Sequence, residues 1–260
     1  MIKTSFIYII ALFIFCQNVL AFDDSPHLCS FSKVKQYKSG NMFSRFSGDY
    51  PGDSTIDVTY YKLDLRITTT PNFLNGIATV NVTCLQNLNS FYLDLEDNMI
   101  VDSVISNGQP VIFSQSNDQL HINRNALKNE NVSVVITYHG LPDVTGLGSF
   151  EFGENQGVPA IWTLREPYGA KTWFPNKDNP CDKADSSDVW ITIPGNLTGV
   201  SNGDLIETID NGNGTKTYKW RSRYPIAPYL ISLAIAEYSI YNNYYHYSPS
   251  DSMLITNYIY

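Results

Sequence analysis

"TYYKLDLRI", Thr59 to Ile67, alternates apolar and polar residues without a break. Tyr61, Leu63, Leu65 and Ile67 share one face, and Lys62, Asp64 and Arg66 share the other. That two-residue period is the mark of a strand buried on one side only. The same alternation continues downstream in "GIATVNVTC", "SFYLDL", "MIVDSVI", "PVIFSQ", "QLHINR" and "VSVVITYHG", with turn residues such as Asn107-Gly108 between the segments. Further on, "DVWITIP" places Val189, Ile191 and Ile193 on one face. "LIETID" and "TKTYKWRS" flank "NGNG", whose Asn and Gly residues tolerate the positive φ of a tight hairpin turn. "YLISLAIAEY" is long enough for a helix, but its β-favouring residues and the Pro-Tyr at its start predict a central strand. Many short strands with turns between them predict an all-β, sandwich-like fold.

The chain begins as a secreted protein does. Lys3 provides a positive start, Phe6 to Phe15 is a continuous apolar run, and Val19-Leu20-Ala21 offers small residues at a cleavage site after Ala21. A membrane anchor is the competing reading, but the run is about half of the ~20 residues that span a bilayer. No later segment is long and apolar enough, so the mature chain is expected to have no membrane span. Cleavage leaves about 240 residues, enough for one large β domain or two small ones. The formal net charge is −8 and no Lys/Arg stripe is present, which excludes nucleic acid as a partner class. Cys29, Cys84 and Cys181 remain after cleavage, too few and too scattered for a dense disulfide framework or a C-x-x-C zinc knuckle. One disulfide among them is open, and at least one thiol must stay free. Asn81, Asn131, Asn196 and Asn213 each begin an Asn-x-Ser/Thr sequon, which has meaning only in a eukaryotic secretory pathway.

The histidines, His27, His121, His139 and His246, lack a second His or a Glu at metal-ligand spacing. There is no H-E-x-x-H, no G-x-S-x-G and no phosphate-cradling glycine loop. The residues alone therefore show no catalytic centre. One segment breaks the strand pattern: "WTLREPYGAKTWFPNKDNP", Trp162 to Pro180. Its prolines force extended or turn conformations on the residues before them. A carboxylate held beside such turns, as Glu166 is, loses little entropy when it meets a cation. The plain alternative is a structural loop in which Glu166 pairs with Lys171 or Arg165.

This segment resembles the N-terminal domain of the aminopeptidase N family of zinc metallopeptidases, which includes the leukotriene hydrolase type. That family carries a run of the form T-Q-x-E-A-x-x-A-R-x-x-F-P-C-x-D-x-P. Thr163, Glu166, Ala170, Pro175, Asp178 and Pro180 fall on it without a gap. Phe174 keeps the aromatic and Lys171 replaces an arginine, while Leu164, Pro167 and Asn176 depart from the run. "YYKLDLRI" with "GIATVNV", "FYLDLEDNMIVDSV", "VSNGDLIE" and "WRSRYPIAPYLISLAIAEY" resemble further family segments in order, from Asp57 to Tyr238.

The resemblance implies a saddle-shaped β-sandwich domain in which Glu166 binds the free α-amino group of a peptide substrate, as an anchor and not as an acid or base. Lys171 and Asp178 are expected to brace the loop. The family's G-x-M-E-N and H-E-x-x-H motifs, which bind zinc and hydrolyse the peptide bond, belong to a catalytic domain that would follow Tyr260. The chain alone is therefore expected to hold no zinc and to be inactive. The implied organisation is a leader at 1–21, an irregular extension at 22–54 and the β domain at 55–241. Residues 242–260 would form a last strand and the start of a link. A free-standing β-sandwich module that binds peptides or surfaces is the alternative.

Overall fold

In the computed structural model, residues 52–143, 150–164 and 166–260 are described; the expected leader at 1–21, Cys29, His27, most of the expected extension and Arg165 lie outside them. The strands are β1 (Ile56–Thr69), β2 (Asn72–Cys84), β3 (Phe91–Asp94), β4 (Met99–Ser106), β5 (Gln109–Pro110), β6 (Phe113–Ser116), β7 (Gln119–Ile122), β8 (Asn131–Gly140) and β9 (Phe150–Asn155). They continue as β10 (Val158–Thr163), β11 (Ser186–Pro194), β12 (Thr198–Ser201), β13 (Asp204–Asp210), β14 (Thr215–Ser222), β15 (Leu233–Ala236), β16 (Ser239–His246) and β17 (Ser252–Ile259). No α-helix occurs among the described residues, and the all-β, sandwich-like expectation holds.

An eight-stranded sheet, ordered β13-β14-β11-β1-β2-β8-β4-β5, carries most of the core. All its neighbours are antiparallel except β1 and β11, which run parallel. The alternation seen in β1 has a structural cause. Ile56 and Val58 point inward, a bulge between Val58 and Tyr60 inserts one residue, and Tyr61, Leu63, Leu65 and Ile67 then point inward instead. A single inserted residue switches the face, because side chains alternate with a period of two. All six are essentially inaccessible to solvent, and full burial of a Leu or Ile is worth about 1.5–3 kcal/mol. On the outer face, Lys62 Nζ sits 3.6 Å from the centre of the Trp190 ring.

Two smaller sheets cover the inner face. One is β12-β15-β10-β9. It meets β11 and β14 closely at Gly199, where an added Cβ would lie 3.3 Å from Ile191, Ile193 and Tyr218. Trp220 Nε1 donates to the Gly199 carbonyl at 3.0 Å. The other is β3-β7-β6, tied to β4 by Gln115, whose amide donates to the Met99 carbonyl at 2.7 Å and accepts from Val101 N at 3.2 Å.

The hairpins at Asn107-Gly108 and "NGNG" form as expected, with Asn107, Gly108, Gly212 and Gly214 at positive φ. "YLISLAIAEY" is the correction. Pro228–Leu230 make a 3-10 turn, and only Leu233–Ala236 form a strand. A proline in the first turn supplies a preset φ and needs no backbone donor, so the apolar run opens as a turn. The strand that follows is interior, between β12 and β10. The last hairpin, β16–β17, is largely exposed, with Tyr241, Tyr244, Tyr245 and Leu254 among its exposed side chains, while Tyr258 packs against the core.

Candidate substrate-anchoring loop

β10 delivers the chain to the loop that starts at Leu164. Trp162, paired with Ala234 of β15, lies over Gly153, where an added Cβ would come within 2.7 Å of the indole. Glycine is required there because the ring occupies the space of a side chain. Thr163 fixes the exit from β10: its Oγ1 accepts from Leu233 N at 3.0 Å. Beyond it, Leu164, Glu166 and Tyr168 are exposed. The Glu166 carboxylate thus stands at the surface among apolar neighbours in sequence, Trp162, Leu164 and Tyr168, all of them solvent-accessible.

The rest of the loop is anchored in the core. Gly169 has φ 110°, a conformation that a side chain would strain, and a 3-10 turn follows at Ala170–Thr172. The Asp178 carboxylate closes this turn by accepting from Gly169 N through both oxygens, at 2.8 and 3.1 Å. Trp173 and Phe174 are buried and meet edge to face at 4.5 Å; Phe174 also meets Tyr61 of β1 at 5.6 Å, and Trp173 meets Phe150 of β9 at 5.9 Å.

A buried polar network holds the far side. Asp94, at the end of β3, exchanges backbone hydrogen bonds with Asn176 at 2.7 and 3.1 Å, and its carboxylate accepts from Asp178 N at 2.8 Å. Lys177 is buried, and its Nζ donates to the Ile56 carbonyl at 2.6 Å and pairs with the Asp182 carboxylate at 2.5 Å. Its backbone N donates to the Tyr61 hydroxyl at 3.1 Å. Burial, reinforced by the nearby Asp178 and Asp53 charges, lifts the Asp94 carboxyl to about 6.

Lys171 is engaged elsewhere. Its Nζ pairs with Asp118 at 2.8 Å and holds that carboxyl below its ordinary range. The expected pairing of Glu166 with Lys171 is therefore not made, and Arg165, the other candidate, lies outside the described residues. Lys171 and Asp178 both brace the loop. Asp94, Lys177 and Asp182 do so as well, and the sequence did not single them out. The one available signal was an Asp in the apolar run "FYLDL", and its partners lie more than eighty positions away.

Among the described residues no cluster forms a reactive centre. His139 pairs with Asp102 at 2.9 Å, and His121 stacks on Tyr92 with ring centroids 5.5 Å apart. Cys84 is buried, Cys181 is exposed, and both are free thiols. Among the described residues no three His, Cys, Asp or Glu side chains converge as metal ligands, so these residues do not fit a zinc ion.

Comparison with known proteins identifies the family and the fold. The family described as the peptidase M1 N-terminal domain matches residues 58–230, well over half of the chain. Leucine aminopeptidase 2 of Vanderwaltozyma polyspora is 28% identical over 198 residues, covering 71% of this chain but 29% of its own length. The M1 zinc metallopeptidase of Deinococcus radiodurans shares the fold with a TM-score of 0.70 at 22% identity, over 79% of this chain and 48% of that one. A mutant of the same enzyme, solved with a Tyr-Ser-Ala substrate, superposes with a TM-score of 0.69 at 22% identity over the same shares. This chain thus spans less than half the length of these relatives. On the family match over residues 58–230 and on the all-β fold, the chain belongs to the peptidase M1 family, as its N-terminal domain.

Proposed function

We propose that this chain is the substrate-anchoring domain of a secreted zinc aminopeptidase, with Glu166 receiving the free α-amino group of a peptide. The observation that carries the reading is the exposed Glu166 carboxylate at the mouth of a loop whose remainder is fixed in the core. Fixing the loop beyond Glu166 before the substrate arrives reduces the entropy lost on binding. An ammonium–carboxylate hydrogen bond is worth about 1.5–3 kcal/mol. That sets which end of a peptide enters, and it rejects internal peptide bonds, which lack the ammonium. The exposed side chains of Trp162, Leu164 and Tyr168 supply apolar surface for the first residues of the substrate.

The hydrolytic step, with the zinc for which M1 relatives are named, is assigned to a catalytic domain beyond Tyr260. The leader at residues 1–21 would send the protein into the secretory pathway. Purified without further sequence, the chain is expected to release no amino acid from aminoacyl arylamides and to hold no stoichiometric zinc by metal analysis. Activity or bound zinc in the isolated chain would overturn this assignment. In the complete enzyme, Glu166→Gln should raise KM for a free-amine dipeptide about ten- to a hundredfold, the change that 1.4 kcal/mol per tenfold gives. Unchanged KM and kcat in that variant would remove Glu166 from the site.

A further inference from the structure

The sequons differ sharply in structure. Asn81 lies on β2, between β1 and β8, and its Oδ1 is buried without a hydrogen-bond partner. Its sequon threonine, Thr83, donates instead to Asn131 Oδ1 across the strands at 2.8 Å. Asn131 is therefore engaged by a hydroxyl from another sequon, and no bond joins it to its own Ser133. Asn196 is exposed, but the middle residue of its sequon, Leu197, is in the core.

Asn213 is different in each respect. It sits in the exposed turn between β13 and β14, and an added Cβ on either flanking glycine, Gly212 or Gly214, would meet nothing within 4 Å. Its own Thr215 donates to Asn213 Oδ1 twice, from the hydroxyl at 2.7 Å and from the backbone N at 3.2 Å. Among the described residues the Asn213 amide nitrogen has no hydrogen-bond acceptor. The nucleophilic atom of this exposed residue is thus unengaged while the sequon's hydroxyl already bonds to its carbonyl. The neighbouring bonds are equally local: Gly212 N donates to Asp210 Oδ1 at 2.9 Å, and Asn211 N donates to the Thr215 carbonyl at 3.0 Å. Such a turn can form in a nascent chain before the sheet does.

We propose that Asn213 is an N-glycosylation site, modified from a polyprenyl-diphosphate-linked oligosaccharide by the membrane transferase of the secretory pathway. The Asn213 Nδ2–C1 bond forms as the C1–O bond to the diphosphate breaks. The diphosphate leaves with the bonding electrons, and the amide nitrogen gives up one proton to a base of the transferase. A surface loop in a secreted protein is the setting such sequons need. The glycan would project beside β13, the sheet-edge strand on which Leu205 and Ile206 are exposed. Bulk there would hinder pairing of that edge with another chain.

The site rests on the secretory reading of residues 1–21, so the test separates the two. The chain is expressed in a eukaryotic secretory host twice, once with its own residues 1–21 and once with an established leader in their place. Intact mass and glycopeptide mapping are then read before and after peptide N-glycosidase. The expected result is a glycan on Asn213 in most secreted molecules, lost in Asn213→Gln and in Thr215→Ala and retained in Thr215→Ser. Glycan with the substituted leader alone would overturn the native leader and leave the acceptor standing. Secreted chains unmodified at Asn213, whichever leader delivered them, would overturn the acceptor.

Discussion

Asp94 shows why the loop is costly to hold and how that cost can be measured. Its carboxyl is raised from 3.8 to about 6 mainly by burial, so the folded chain binds a proton more readily than the unfolded one. The sign follows directly. Below 3.8 both states are protonated and there is no penalty. As pH rises through about 6 the folded state must carry a buried charge, and stability falls. At 1.36 kcal/mol per unit the full effect is about 3 kcal/mol. Asp94→Asn keeps an oxygen for Asp178 N and removes the charge. It should therefore raise the unfolding free energy by about 1–3 kcal/mol at pH 7.5 and leave it unchanged near pH 3.5, a difference that urea titrations at the two pH values resolve. A loss of stability at pH 7.5 would show that the charge itself holds Asp178 in place. Glu166 differs from Asp94 in being exposed, so removing its charge should alter substrate binding and leave folding untouched.

At the scale of elements, one side-chain contact within the β2–β8 ladder can be tested by itself. Gly76 lies opposite Tyr138, and an added Cβ would come within 2.4–2.6 Å of the phenol ring. The Tyr138 hydroxyl is buried without a hydrogen-bond partner among the described residues. Gly76→Ala should therefore cost about 1–3 kcal/mol by overpacking. Tyr138→Phe should be neutral or stabilising, since it removes an unpaired polar group without opening a cavity. Thermal unfolding should show a clear drop in midpoint for Gly76→Ala and no drop for Tyr138→Phe; a destabilised Tyr138→Phe would contradict this packing. The strands were readable in the sequence because each half-buried strand writes its own alternation. β1 declares its inward face from Tyr61 onward, and "NGNG" declares its turn. β15 was overread because an apolar run carries no mark of where pairing begins, and Ser232 N is in fact taken by Asn202 Oδ1 at 2.8 Å. The bracing of the loop was only partly legible. Lys171 and Asp178 emerged from the family resemblance. The bond from Lys177 to the Ile56 carbonyl and the Asp94 bridge to Asp178 depend on distant segments meeting, which no local period records.

On the scale of the whole molecule, the described chain is an N-terminal M1 domain, and it covers 29% of the yeast leucine aminopeptidase 2 and 48% of the bacterial metallopeptidase chain. The domain offers one exposed carboxylate on an anchored loop and, among its described residues, no metal-binding cluster. The proposed anchoring role assigns the hydrolytic chemistry to another domain. Sequencing the transcript across and beyond codon 260 tests this most directly. The expected result is an open reading frame that continues into G-x-M-E-N and then H-E-x-x-H with a later glutamate. A stop codon directly after Tyr260, with no such motifs downstream, would contradict it and favour a free-standing binding module.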